Sequence, residues 1–361
     1  MTGRERLNAI MKKEPTDRLP WTTLVDNTSL DRFPQELRGN GGIDFYKHLG
    51  CDIFLLNGWN LPHNFRSPEL HWGSKVTIEQ KINGSQTITT FQTPQGCLTS
   101  IHERGHPMKY PVDSIEAVRT YRAMWEEVWY EFHDDSEELA ALNKLIGEYG
   151  VVTRFWGPST IPRLLEENMG LENFYYLLAD YPDEMDALIR AIHERELEAF
   201  KHLANGPWDS VTLVENTSTL YISPEIYKKY NMPHQREFVE IIKGSGKTAI
   251  IHMCGHVHAI LGLIKETGCD GIHFLTPPPT GNTPWEDALD VIGEDLIIIG
   301  CLDPTIFISA QVDNIGPALD QLITPRLREA NFVLSPTADG ISVGLERFYA
   351  IKRWMDENAA H

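Results

Sequence analysis

Short apolar runs, most of them bounded by glycine, proline or aspartate, alternate along this chain with longer stretches in which hydrophobic positions recur at helical spacing. Eight runs read as strands: 19–24, 52–56, 151–156, 210–214, 248–252, 271–275, 296–300 and 331–335. Most are apolar throughout rather than alternating, as expected of parallel strands covered on both faces. The stretches between them carry helix boundary signals. Ser223 before Pro224 fits an N-cap followed by proline at the first helical position. Gly206, Gly244 and Gly268 fit C-terminal stops, and Asp135 with Glu138 resembles a capping box opening a helix over 136–146. Eight strands with helices between them predict a single α/β domain over 1–361, a (β/α)8 TIM barrel.

One segment departs from this rhythm. Residues 75–101 alternate polar and apolar positions around Asn83-Gly84, a type I′ turn signal, and predict a β-hairpin insertion between the second and third βα units. A hairpin at that place would lid the active face, meet a partner or simply decorate the surface.

Barrel geometry gathers the candidate chemistry, because active sites in this architecture sit where the strands end. His252 ends the fifth run and Cys254 follows two residues later; Cys301 ends the seventh and Glu215 the fourth. One imidazole, two thiols and a carboxylate suit a tetrahedral zinc ion, with Glu215 either a ligand or a proton-handling base. His273 and Asp339 are reserve ligands, whereas Cys51, Cys97 and Cys269 read as small core hydrophobes. Trp21, Trp59 and Trp156, at or just after the first three strands, are candidates to line an apolar pocket, and Asp26, Asn57 and Tyr221 to hydrogen-bond a substrate.

Composition narrows the partners. With 32 basic against 51 acidic residues the net charge is −19, which disfavours nucleic acid, anionic membrane and polyanionic substrates. Five dispersed cysteines suit a reducing compartment, and no apolar run approaches the roughly 20 residues a bilayer needs. A cytoplasmic protein is expected.

Several stretches together resemble the uroporphyrinogen decarboxylase superfamily: Arg4 to Ile10 with Glu14 to Trp21, Ile222 to Tyr227, Ile251-His252-Met253-Cys254-Gly255, Gly300-Cys301-Leu302-Asp303-Pro304 and Phe332 to Pro336. The resemblance implies a (β/α)8 barrel and either a porphyrinogen decarboxylase or a zinc methyltransferase working with a corrinoid carried by a partner protein. Thr93-Pro94-Gln95-Gly96 is similar to the methyltransferase branch. Two departures matter. The decarboxylases hold substrate carboxylates with arginines after the first strand, and this chain reads Thr22-Thr23-Leu24-Val25-Asp26-Asn27-Thr28 there. Thiol-methylating members add a cysteine after the eighth strand, where this chain reads Pro336-Thr337-Ala338-Asp339-Gly340, while Cys301 stands on the seventh. The expectation is therefore an O-demethylase component: a zinc-dependent methyltransferase moving a methyl group from a methoxylated, aromatic compound to the Co(I) corrinoid of a partner protein. The alternatives are a second-step methyltransferase delivering methyl to a thiol, a decarboxylase-like enzyme, and a non-catalytic tetrapyrrole-binding module.

Overall fold

The computed structural model describes residues 1–57, 61, 63–338 and 340–358, the side chain of Asn57 excepted; Trp59 and Asp339 lie outside the described residues. In chain order its strands are β1 (Leu24–Val25), β2 (Ile53–Asn57), β3 (Glu69–His71), β4 (Thr77–Asn83), β5 (Gln86–Thr93), β6 (Gly96–Glu103), β7 (His106–Lys109), β8 (Trp129–Glu131), β9 (Gly150–Trp156), β10 (Ser210–Val214), β11 (Thr248–His252), β12 (Gly271–Leu275), β13 (Ile297–Cys301), β14 (Phe332–Ser335) and β15 (Thr337–Ala338). β2, β9, β10, β11, β12, β13 and β14 pair in that order as one parallel sheet with helices between its strands. The sheet is curled. Phe54 on β2 and His273 on β12 have ring centroids 5.9 Å apart although three strands lie between theirs in the pairing order.

Both faces of this sheet are buried, which explains its unbroken apolar runs. On the inside, Phe54, Leu56, Ile250, Ile297, Ile299 and Val333 pack together with Leu7 and Ile10 of the first helix, Gly3–Lys12. Their strand neighbours Ile53, Leu55, Ile251, Ile298, Phe332 and Leu334 belong to the much larger core under the helices. The two-residue period of a strand therefore decides which side each later side chain takes.

The first expected strand, 19–24, is barely a strand. Trp21 forms a single parallel bridge to Leu334, and β1 pairs with β15 further on. Leu334 N donates to Pro20 O at 3.0 Å and Thr22 N to Leu334 O at 2.9 Å, and hydroxyls supplement this short ladder: Thr22 Oγ1 accepts from Phe54 N at 3.1 Å and Thr23 Oγ1 donates to Pro336 O at 2.6 Å. The segment still touches both sheet edges, since Trp21 O also accepts from Asp52 N at 2.7 Å.

The insertion is larger than the expected hairpin over 75–101. β4, β5, β6 and β7 form a four-stranded antiparallel meander over Thr77 to Lys109, and β3 pairs with β8 beside it. The turn also shifts by one residue. Asn83 still pairs with Gln86, so Gly84 and Ser85 are the loop, and positive φ falls on Gly84 but not Ser85, which fits type II′ rather than type I′. Type I′ geometry suits Arg104-Gly105, both at positive φ, between β6 and β7.

Helix signals fare unevenly. Ser223 does cap its helix, its side chain accepting from Ile226 N at 3.3 Å. The helix Ser136–Ile146 forms, but without a capping box. Asp135 instead accepts from the backbone of Arg66 at 2.9 Å and Ser67 at 3.0 Å, so a nearby loop outcompetes the helix for its carboxylate.

Candidate active site

The inside-outside alternation places His252, two residues after Ile250, on the inner side of the sheet, and Cys301 likewise follows Ile299. His252 Nδ1 lies 2.7 Å from Nδ1 of His273. One of those nitrogens must carry hydrogen and the other a lone pair, so the two rings hold opposite tautomers. Burial pushes His252 down to about 4, and burial with the neighbouring ring pushes His273 well below the usual range, so both rings are neutral at physiological pH.

Glu215 sits on the other side. It follows Val211 and Leu213, which face the helices, and its carboxylate is taken up from that side. Ser159 and Asn231 donate to it, as does Thr217 at 3.1 Å. Burial raises its pKa to about 7 against the opposing pull of these donors, which leaves a carboxyl poised between its two forms.

At the end of the sheet, Cys254 Sγ lies 3.9 Å from Asn216 Oδ1, whose amide nitrogen reaches Glu166 Oε2 at 3.4 Å. The Tyr221 hydroxyl donates to Asn216 O, pinning a residue whose φ is +44. Burial, helped by Glu167, raises Glu166, and burial together with the charge of Glu166 raises Cys254. Cys301 is pushed up to about 12 by burial, to which Cys254 and Asp303 add. Each thiol therefore keeps its proton unless a cation displaces it.

A cavity of about 430 Å³ opens beside these groups, walled by Pro68, Phe155, Trp156, Pro158, Glu166 and Asn216. A cavity of similar size, about 450 Å³, lies at the opposite end of the strands among Lys13, Glu14, Asp295, Arg328 and Asn331. Glu166 and Asn216, the residue that reaches Cys254, line the first, and active sites of parallel α/β sheets lie at that carboxyl end.

The other expected binding residues have structural partners. Trp21 is fully buried in the outer core. Asp26 caps the helix Asn27–Leu30 and accepts from Gly340 N at 2.8 Å. Trp156 packs on Phe200 with centroids 5.7 Å apart while bordering the cavity. The side chain of Asn57, like Trp59, is outside the described residues. Among the described residues no three His, Cys, Asp or Glu side chains are gathered closely enough to hold a metal ion as they stand.

A family model for uroporphyrinogen decarboxylase (URO-D) matches residues 105–345. The chain belongs to the URO-D family. Two relatives, each named methylcobamide:CoM methyltransferase MtbA, come from Methanosarcina acetivorans and Methanosarcina mazei; both are 24% identical, over 308 and 310 residues, covering 84% of this chain and 83% of the relative. A solved methyltransferase from Methanosarcina mazei superposes over 99% of both chains with a TM-score of 0.61 at 14% identity, which supports the fold. No helix among the described residues is long and apolar enough to cross a membrane.

Glu166, Asn216, Ser159 and Asn231 went unrecognised in the sequence. Asn216 adjoins Glu215 at a strand end, a position that could have flagged it. Glu166 lies ten residues past the end of β9 in a helical segment and had no such signal.

Proposed function

We propose that this protein is a zinc-dependent O-demethylase component working in the cytoplasm, which moves a methyl group from a methoxylated aromatic compound to the corrinoid of a partner protein. The relationship to two methylcobamide methyltransferases carries the reaction class. In this reading the curled sheet is a closed (β/α)8 barrel, residues 20–25 supplying the eighth strand between β14 and β2. The donor chemistry of His252, Cys254 and Cys301, one imidazole and two thiols at the carboxyl ends of β11 and β13, suits zinc. Zinc bound there would supply Lewis acidity toward a methyl-bearing oxygen.

The chain's own residues do the rest. His273 fixes the tautomer and ring orientation of His252, the usual task of a hydrogen-bonding partner behind a ligating histidine. Tyr221 holds Asn216, and Asn216 in turn bridges Cys254 and Glu166. Phe155 and Trp156 offer an apolar wall to an aromatic ring and exclude water from it. Glu215, poised near neutrality behind the mouth, is a proton store rather than a ligand, because hydroxyl and amide donors occupy both of its oxygens.

The second reading, methyl delivered from a methylcorrinoid to a thiol, is favoured by the names of the relatives. The charge around the cavity is mixed, since Glu166 and Glu167 border the space and so does Arg154, whose guanidinium donates to the carbonyls of Ser67 and Phe155. The test pairs Co(I) corrinoid plus a methoxyarene against methylcobalamin plus a thiol. Methylcorrinoid formed in the first mixture is the expected result; turnover in the second alone establishes the thiol reading, and turnover in neither removes both.

A further inference from the structure

The two edges of the antiparallel insertion are finished differently. β7 is short, carries Pro107, and its pairing with β6 slips between Ile101 and His102. All three devices discourage another strand from adding there. β4 has none of them. Its seven residues pair with β5 in unbroken register, it contains no proline, and every residue is exposed, Ile82 to 82% and Ile78 to 46%.

The loop fixes which backbone groups of β4 are free. A two-residue loop closes on a hydrogen-bonded pair, here Asn83 with Gln86. Alternation along an antiparallel ladder then turns the N–H and C=O groups of Asn83, Lys81, Glu79 and Thr77 toward β5. Those of Ile82, Gln80 and Ile78 face outward and, among the described residues, have no strand beside them.

We propose that β4 pairs with β4 of a second copy of this chain, antiparallel and two-fold symmetric about Gln80, joining two four-stranded sheets into one. Centring on Gln80 uses the outward-facing groups: Gln80 meets Gln80, and Ile78 meets Ile82 twice, with about six backbone hydrogen bonds. It also matches side chains. Glu79 falls opposite Lys81 of the second copy on one face, while Ile78 and Ile82 cover each other on the opposite face. Centring on Ile78 or Ile82 loses the charge match. A single strand pair buries less than the roughly 1,200 Å² of a typical stable interface, so the dimer is weak and concentration-dependent. The symmetry is isologous and closes at two copies.

Sedimentation velocity on the full chain, from about 1 to 100 µM, tests this. The expected result is a monomer that converts to dimer across the range. Gln80→Pro removes an outward N–H without touching the β5 ladder, so it should fold normally by circular dichroism and remain monomeric. Lys81→Glu or Glu79→Lys alone sets like charges opposite each other twice and should weaken the dimer about tenfold or more, while the double swap E79K/K81E restores it. A monomer at every concentration, a dimer indifferent to Gln80→Pro, or a double swap no better than its single parents overturns the proposal.

Discussion

In the curled sheet Ile250 and Ile299 are buried inside and Ile251 and Ile298 outside, whereas every residue of β4 in the insertion meets solvent. The same secondary structure thus rests on different supports. The curled sheet is held by two apolar layers, and its carboxyl end concentrates the polar groups that those layers leave without water. The insertion is held by backbone pairing and by one partly covered face, where Leu98 is buried and Phe91 packs against the core. The proposed chemistry falls on the first sheet, where burial shifts protonation, and the proposed association on the second, whose edge is open.

The largest effect that can break this contrast is catalytic. His252→Ala or Cys254→Ala should lower methyl transfer by about 10³-fold, near 4 kcal/mol of barrier, and reduce bound zinc from about one per chain, read by metal analysis of the purified protein. Full zinc occupancy with full activity in both variants would remove the metal from the site. Next comes packing. Ile250→Ala deletes a side chain from the inner core and should cost about 2–5 kcal/mol in denaturant unfolding. A cost under about 1 kcal/mol would mean that the inner layer does not hold the sheet.

The parallel sheet was legible in the sequence because burial on both faces leaves a run with sharp ends: 210–214, 248–252 and 271–275 match to the residue. The run 19–24 gives only a bridge at Trp21 and the short β1, because its backbone bonds to Leu334 and Asp52 are few and Thr22 and Thr23 add hydroxyl bonds beside them. β6 was only partly covered by the expected hairpin and β7 not at all, since strands with a wet face carry little apolar signal. At the site, period two would have separated His252 and Cys301 from Glu215. Reading all three at the same level overlooked that Glu215 shares its side with Leu213.

A smaller effect probes burial of a titratable group in the helical layer. His193 and His234 stack with centroids 3.5 Å apart, between the helices Pro182–Asn205 and Met232–Gly244, and Glu237 takes His193 Nε2 at 2.9 Å. Burial, with the charge of His193 adding to it, pushes His234 down to about 2. An unfolded histidine takes up a proton below about 6.5 and this folded one does not, so stability is full above that pH and declines below it. From pH 6.5 to 5 the share of His234 in the loss should be about 2 kcal/mol, added to those of the buried His252 and His273, followed by urea unfolding across pH. His234→Phe should reduce the loss over that interval by about 2 kcal/mol and leave the part that His252 and His273 contribute; an unchanged slope would remove His234 from it.

The smallest effect is also the sharpest comparison with Ile250. Ile82 is a β-branched hydrophobe in a strand, as Ile250 is, and the two differ in surroundings rather than in chemistry. With 82% of its surface exposed, Ile82 makes few of the contacts that a truncation would remove. Ile82→Ala should therefore shift unfolding by no more than about 0.5 kcal/mol at low protein concentration, where the chain is a monomer. A larger loss under those conditions would show that β4 packs against the body of the molecule in solution, and the contrast between a sheet held by its core and a sheet held by its backbone would then fail.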